Sequence, residues 1–280
     1  MTFVDCVTFI KFSFLSPVFC LLFIIFEPML SKSQIKKLRS LQRKKERKSL
    51  GLYIVEGRKI VEEILQMNPS WFEVFATSNW FDQHKQLAGL ENSFLITEKE
   101  LSQVSTLKTP NEVLLVLKQP SEIDFSEVKS AQLVLALDGV KDPGNMGTII
   151  RLADWFGVQH ILCTSNSVDQ YNPKTVQSAM GSINKVQLHY GDLAQMLSDL
   201  DSFQIYACDL DGESIYETQF VEKTILIMGS ESHGISDEIL DLVNRKITIP
   251  SVSNSGIDSL NVATATAISL SVFSSQSSLF

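Results

Sequence analysis

The sequence lacks the cysteine and histidine patterns of a metal site or a disulfide framework. Its four cysteines are Cys6, Cys20, Cys163 and Cys208, and no two of them have CxxC spacing. The four histidines also show no spacing typical of metal ligands. We therefore expect no bound metal and reduced cysteines, which is the usual state in a cytoplasmic protein.

No uncharged run is long enough for a standard membrane-spanning helix. The Phe-rich stretch from Phe12 to Phe26 is shorter than the roughly 20 residues that a span needs, although extension past Lys11 would supply the length. A signal-peptide core is a second interpretation, but no AxA-like cleavage site follows. We favour a third, in which 1–28 is an apolar extension upstream of a natural start at Met29, or a poorly ordered tail. On that interpretation the protein has no contact with a membrane.

The glycines do not form a dinucleotide-binding loop. The apolar run Leu133–Leu137 reads as a strand, yet no GxGxxG triplet follows it. This absence disfavours a Rossmann dinucleotide site and the Gly-rich loop of the common Rossmann methyltransferases.

Charge is distributed very unevenly along the chain. The net charge is −8, but the segment Lys32–Lys48 holds nine basic residues and one acid and carries +8, so the remainder carries −16. Such asymmetry indicates a basic arm or face for an acidic partner, although a solvated helix face is the alternative. The candidate residues for binding such a partner are Lys36, Lys37, Arg39, Arg43 and Lys44.

The order of apolar runs predicts two α/β domains. Residues 29–117 alternate amphipathic helices with short strands, and the polar segment 118–130 reads as a linker. From 131 to 280, apolar strands alternate regularly with helices, which predicts a mainly parallel sheet with helices on both faces. Ligands bind beyond the carboxyl ends of the strands in such sheets, so the loops there are the candidate sites.

The first candidate loop runs from Asp138 to Arg151, where a strand meets a helix. We expect Asn145 to cap that helix and Gly147 to allow close approach to its first turn. Arg151 could hold a phosphate through its planar fork of N–H groups. The plain alternative is an ordinary helix start with a surface arginine.

Two further loops carry polar residues beside glycines. In Ile227–Ser236, the carboxylate of Glu231 lies between Gly229 and Gly234 and is expected to be exposed. In Ile249–Leu270, a polar loop is followed by a helix rich in small residues, which lets another backbone approach closely. We interpret this last stretch as a loop that closes over a ligand and a helix that packs tightly.

The three loops together resemble a known enzyme family. NMGTIIR, IMGSESHGIS and the IP…SLNVATA segment occur in the order of the three motifs of the SpoU/TrmH family of RNA 2′-O-ribose methyltransferases. The earlier stretch LYIVEGRKIVEEIL is similar to the L30e-like substrate-binding domain of many members. The resemblance implies an α/β SPOUT fold with a C-terminal trefoil knot, a homodimer, S-adenosylmethionine as cofactor, and rRNA or tRNA as partner.

The resemblance also implies roles for individual residues. The catalytic positions of the family fall on Asn145, Arg151, Glu231, Ser259 and Asn261, and the cofactor contacts on Gly229, Ile249 and Leu260. The loop Ser251–Asp258 is longer than in many members, so the edge of the cofactor pocket is expected to differ. Methylation of rRNA is favoured over tRNA, and the alternative function is a non-catalytic RNA-binding or ribosome-assembly protein that keeps the fold.

Overall fold

The computed structural model describes residues 30–67, 71–120, 125–230, 232–252 and 259–276. Within these ranges the chain forms two sheets, one in a first unit (30–118) and one in a second unit (125–276). The apolar stretch 1–28, Glu231 and most of the Ser251–Asp258 loop lie outside the described residues. No helix in the described part of the chain is long and apolar enough to cross a bilayer.

The first unit is a mixed four-stranded sheet with helices around it. Its helices are α1 (Lys32–Ser40), α2 (Lys44–Leu50), α3 (Arg58–Gln66), α4 (Ser78–Gln83) and α5 (Glu98–Val104). Its strands are β1 (Leu52–Glu56), β2 (Trp71–Ala76), β3 (Ser93–Leu95) and β4 (Val113–Lys118), in the order β1-β4-β2-β3. β4 is antiparallel to both neighbours, and β2 pairs with β3 in parallel.

The second unit is built on a six-stranded sheet, and every pairing in it is parallel. The strands are β5 (Leu133–Asp138), β6 (His160–Thr164), β7 (Gln187–Gly191), β8 (Gln204–Ser214), β9 (Thr224–Gly229) and β10 (Arg245–Thr248), in the order β10-β8-β9-β5-β6-β7. The helices are α6 (Pro143–Trp155), α7 (Pro173–Ala179), α8 (Leu193–Ser198), α9 (Asp237–Leu240) and α10 (Val262–Gln276). Short 3₁₀ helices cover Phe125–Ser130 and Met180–Asn184.

Alternate residues of the central strand explain why helices cover both faces of this sheet. Leu135 and Leu137 of β5 belong to the hydrophobic cluster that contains α6 and α10, whereas Val134 and Ala136 belong to the cluster beneath α8. Side chains point to opposite faces at every second position of a strand, so each face buries its own apolar set. The predicted parallel sheet with helices on both faces is confirmed.

Cap residues explain where several helices begin. The Thr97 hydroxyl accepts the N–H of Glu100, whose carboxylate accepts the N–H of Thr97, and this capping box starts α5. Helix α6 begins at Pro143, and its cap is Asp142, whose Oδ1 accepts the N–H of Asn145 at 2.8 Å. The prediction that Asn145 caps this helix is therefore wrong, because Asn145 is its third residue.

One hydrophobic cluster runs through both units. It contains Tyr53, Ile60 and Leu115 from the first sheet unit and Leu135 and Tyr171 from the second. In the segment predicted to be a linker, Val128 is fully buried under the second sheet. The division at 118–130 into two independent domains stays a prediction.

Candidate active site

Strand β8 and the loops that follow β9 and β10 surround one cavity at the carboxyl edge of the parallel sheet. Its volume is about 440 Å³. Gly229, Ile249, Ser259 and Leu260, four of the residues singled out in the sequence, all line it. The other lining residues are Cys208, Asp209, Leu210, Ile215, Met228, Ser230, Ser232, His233, Gly234, Ile247, Thr248, Val262, Ala265 and Ser269.

A tight turn forms the wall of the cavity after β9. Ser230 and Gly234 exchange two backbone hydrogen bonds, of 3.0 and 2.9 Å, so the chain doubles back directly after Gly229. A Cβ atom on Gly229 would lie 2.5 Å from both the carbonyl oxygen of Gly234 and the nitrogen of Ile235. Only glycine fits at this position without a shift of backbone. Glu231, the candidate acid inside this turn, lies outside the described residues.

Asn261 connects the cavity to the first loop. Its Oδ1 accepts the N–H groups of Ala263 and Thr264, at 3.0 and 3.2 Å, and so caps α10. Its Nδ2 donates to Oδ1 of Asn145 at 3.0 Å. This bond joins a candidate residue of the first motif to one of the third. Ser259 and Leu260, which directly precede Asn261, line the cavity.

Carboxylates fix the loop between β5 and α6. Asp138, at the end of β5, accepts the N–H and the hydroxyl of Ser236 at 2.8 and 2.7 Å and ties this loop to the turn after β9. The N–H of Asn145 holds the pKa of Asp142 below its usual value, with a smaller contribution from the ammonium of Lys174. Asp142 is therefore a charged cap, which suits the positive end of α6.

Arg151 lies apart from these contacts. It is on the exposed side of α6, and no hydrogen bond or ion pair joins it to another described residue. Its guanidinium is available to an external anion. The structure brings together Asn145, Ser259, Leu260 and Asn261, but it does not bring Arg151 to the cavity wall.

The cavity has the chemical character that S-adenosylmethionine requires. Met228, Ile247, Ile249 and Val262 give it apolar walls, and its volume falls in the roughly 300–1,000 Å³ range of cofactor sites. Asp209 supplies a carboxylate at the wall and is paired with Lys246 at 3.2 Å. An apolar pocket with a few polar groups suits the adenine base and the sulfonium cation of this cofactor. Burial raises the pKa of the Cys208 thiol to about 11, so this wall carries no thiolate charge near neutral pH.

The five candidate RNA-binding residues divide into two groups. Lys36, Arg43 and Lys44 are exposed and have no ion pair or hydrogen bond among the described side chains. Lys37 pairs with both carboxylate oxygens of Glu73, at 2.8 and 2.9 Å, and Arg39 donates to the carbonyl of Gln103 at 2.7 Å. The first three are therefore more available to phosphate than the other two.

Sequence reasoning missed several residues that shape the site. The Asp142-Pro143 pair carried a usable signal, because aspartate followed by proline is typical of a helix start. Asp138 and Asp209 carried none, since their partners Ser236 and Lys246 lie far away in the sequence. Described residues contain no cluster of three or more histidine, cysteine or acidic side chains placed for a metal ion.

Comparisons with known proteins agree with this geometry. The sequence model of the SpoU rRNA Methylase family matches residues 132–271, and the model of the MRM3-like substrate binding domain matches residues 32–115. The 23S rRNA (guanosine(2553)-2′-O)-methyltransferase RlmP of Bacillus subtilis is 29% identical, over 84% of this chain and 93% of that protein.

Two solved structures match nearly the whole chain. A Porphyromonas gingivalis protein assigned to the TrmH family of RNA methyltransferases is 35% identical with a TM-score of 0.77, covering 89% of this chain and all of that one. The AdoMet-bound rRNA methyltransferase of Sinorhizobium meliloti is 26% identical with a TM-score of 0.75, covering 90% and 97%. The family model matches half of this chain, and the matched residues include those around the cavity and the Asn145–Asn261 contact. The chain therefore belongs to the SpoU rRNA Methylase family.

Proposed function

We propose that this protein transfers a methyl group from S-adenosylmethionine to a ribose 2′-OH in structured RNA, with rRNA as the substrate in preference to tRNA. The observation that carries the proposal is the cavity in which Gly229, Ile249 and Leu260 meet, next to the bonded pair Asn145 and Asn261. Family membership and relatives named as rRNA 2′-O-methyltransferases support it.

The cofactor would be held by backbone and apolar contacts around the cavity. Gly229 ends β9, Ile249 directly follows β10, and Leu260 lines the same cavity. When bound, S-adenosylmethionine supplies a methyl group activated by a positively charged sulfur. The protein's contribution is then to hold one ribose hydroxyl in line with that group, since alignment of two reactants lowers the barrier by several kcal/mol, roughly 7–11 at best.

The hydroxyl also has to lose its proton. Ser259 and the paired amides of Asn145 and Asn261 can orient the ribose by hydrogen bonds. Arg151 is a poor base by itself, because a guanidinium stays charged at neutral pH. We assign Arg151 to a phosphate of the RNA, which its fork can bind and bring toward the 2′-OH, so that a phosphate oxygen accepts the proton as the new bond to the methyl group forms. Glu231 is proposed, by family resemblance, to orient the arginine or the RNA.

RNA binding is assigned mainly to the first unit. We propose that residues 29–117 form an L30e-like substrate-binding domain and that residues 131–280 form the methyltransferase domain, with 118–130 between them. The exposed cations Lys36, Arg43 and Lys44 support this, as does the match to a substrate-binding model. Affinity of this kind comes from released counterions and is sensitive to salt. The knot and the cytoplasmic location stay predictions.

We further propose that the active form is a homodimer. Trp155 on α6 is 84% exposed, one turn beyond Arg151, and so large an exposed aromatic is a candidate contact for a second copy. Replacing Trp155 with glutamate should yield a monomer by light scattering, whereas Tyr216→Glu at another exposed site should not. A wild-type monomer at micromolar concentration would contradict the proposal.

The alternative is a non-catalytic RNA-binding protein that keeps this fold. Calorimetry with S-adenosylmethionine separates the two, because only the enzyme requires the cavity to bind it. We expect the wild type to bind S-adenosylmethionine stoichiometrically and Gly229→Ala to bind it much more weakly. Normal RNA binding with no detectable cofactor binding would favour the alternative.

A further inference from the structure

The two units are joined by a polar contact zone that we call the seam. It consists of Arg47, Tyr53, Glu56 and Glu63 in the first unit and Asp169, Gln177, Gly181 and Asn184 in the second. All four partners in the second unit belong to one continuous segment, 169–184, which contains α7 and the 3₁₀ helix after it.

Arg47 is the most deeply buried cation of the basic segment. Only 2% of it is exposed, although six of its basic neighbours between Lys36 and Lys48 are at the surface. Its Nη1 donates to the carbonyls of Leu41 and Gln42 at 2.9 and 2.8 Å, and its Nε and Nη2 donate to Oδ2 of Asp169 at 3.2 and 2.5 Å. With its fork fully used inside the protein, Arg47 cannot serve as a phosphate contact.

Other seam contacts fix the orientation of the units. The Tyr53 hydroxyl donates to Oδ1 of Asn184 at 2.6 Å, and its ring lies 4.4 Å from that of Tyr171. Gln177 donates to the carbonyl of Glu56 at 2.7 Å. Hydrogen bonds of this kind have directional requirements, so several of them together restrict rotation as well as separation.

The seam continues into the loop that carries Asn145. Val168, next to Asp169, donates its N–H to the carbonyl of Val140 at 2.9 Å, and Val140 lies in the loop between β5 and α6. The Tyr190 hydroxyl secures the same turn by donating to the carbonyl of Val168 at 2.8 Å. From Arg47 to the start of α6 the path therefore has two hydrogen-bonded steps.

A second path runs through α7 itself. A Cβ atom on Gly147 of α6 would lie 2.5 Å from the carbonyl oxygen of Thr175 and from Cβ of Ser178, so the two helices touch backbone to backbone. At the end of α7, Met180 has φ 54° and ψ −145°, a strained conformation that residues with side chains rarely adopt. The adjacent N–H of Gly181 donates to Glu63 across the seam at 3.3 Å, which helps to hold this strained turn.

We propose that Arg47 is a positioning residue that fixes the RNA-binding unit against α6, so that the seam determines which ribose reaches the methyl donor. This inference rests on the proposed function. It assigns the basic segment two tasks, because its exposed cations hold the RNA whereas its buried arginine sets the geometry. The seam then fixes the distance between the bound RNA and Asn145.

The test compares Arg47→Met with Lys48→Met, which removes an exposed cation from the same helix. The methyl acceptor is total rRNA from a strain that lacks the protein. For each variant we would measure RNA affinity, the single-turnover transfer rate at saturating RNA, and amide exchange across 165–184. Cofactor binding stoichiometry gives the folded fraction, and Tyr53→Phe provides a milder seam variant if Arg47→Met does not fold.

Arg47→Met should keep RNA affinity within about twofold and lower the saturating rate about tenfold or more, with faster exchange in 165–184. Lys48→Met should weaken RNA binding and keep amide exchange across 165–184 as in the wild type. Tyr53→Phe should lower the same rate by a smaller factor. A wild-type rate in both seam variants would overturn the inference, as would lost RNA affinity with an unchanged saturating rate. If the wild type transfers no methyl group, the proposed function fails, and unchanged exchange in Arg47→Met would then separately refute the seam.

Discussion

Nδ2 of Asn261 lies 3.0 Å from Oδ1 of Asn145, and this bond joins the starts of α6 and α10 across 116 residues of sequence. Asn261 simultaneously caps α10 through its Oδ1. The same side chain therefore stabilises a helix and aligns two motifs, and the two tasks can be separated by mutation.

Alanine at the two positions should have different effects on stability. Asn261→Ala removes the cap as well as the bridge, so it should lower the free energy of unfolding by about 1 kcal/mol and also impair methyl transfer. Asn145→Ala removes the bridge, leaves the cap of α10 in place and puts a good helix former in α6, so it should lower stability less than Asn261→Ala while methyl transfer falls. Denaturant unfolding and single-turnover kinetics measure the two effects. Full activity in Asn145→Ala would contradict the role of the bridge.

Gly229→Ala should close the cofactor cavity. The added methyl group would meet the backbone of Gly234 and Ile235 at 2.5 Å, so the turn after β9 has to shift. We expect cofactor affinity to fall at least about tenfold in calorimetry, with a lower melting temperature. Gly191→Ala is the matched control, because its nearest neighbours, atoms of Met196, lie at an ordinary 3.7 Å. Normal cofactor binding by Gly229→Ala would show that the cavity is not the cofactor site.

Exposed and paired cations should differ in their effect on RNA binding. Replacing Lys36, Arg43 and Lys44 together with glutamine should weaken binding and reduce the slope of log K against log salt by about 2 to 3. Lys37→Gln should change the slope less, since its ammonium already pairs with Glu73. An unchanged slope in the triple variant would remove α1 and α2 from the RNA interface.

A buried histidine pair should make stability depend on pH. His160 Nδ1 lies 3.2 Å from His189 Nε2, and burial lowers the pKa of both, that of His189 to about 4 with a further effect from His160. Histidines in the unfolded chain have a pKa of about 6.5, so between pH 4 and 6.5 the unfolded chain binds more protons than the folded protein. The free energy of unfolding should therefore fall as pH drops from about 6.5 to 4.

His189→Gln should flatten that dependence, whereas the exposed His233→Gln should not. Urea unfolding at several pH values measures it. A pH dependence that is identical in His189→Gln and the wild type would mean that other groups cause it.

Local sequence patterns predicted most of the helices and strands, because the spacing of apolar residues within each segment indicates its secondary structure. Apolar runs identified the strands of the parallel sheet, and the alternation of strands with helices predicted that it is mainly parallel with helices on both faces. Helix α4 (Ser78–Gln83) was missed, since its six residues are too few for a period to show. The apolar run that predicts β8 ends at Cys208; the continuation of the strand to Ser214 was not predicted, because that part pairs with β10 only after a shift in register.

Contacts between distant residues were the part that sequence could not supply. Arg47 looked like one more cation in a basic run, but burial beside Asp169 sets it apart. The motifs indicated Asn145 and Asn261 by family resemblance, yet nothing in the spacing showed that their amides touch. Such information lies in tertiary packing, which overrides local charge and propensity.

The central claim is methyl transfer to a ribose 2′-OH with the help of Arg151. In the direct measurement, rRNA from a strain that lacks this protein is incubated with methyl-labelled S-adenosylmethionine and either the wild type or Arg151→Ala. The labelled nucleotide is then identified after digestion of the RNA. Lys185→Ala is the control, since it removes another cation beside α6, where it pairs with Asp154. We predict a 2′-O-methylated nucleotide with the wild type and the control, and a rate about a thousandfold lower with Arg151→Ala at unchanged cofactor affinity. Label on a base, or an equal rate in Arg151→Ala, would contradict the account.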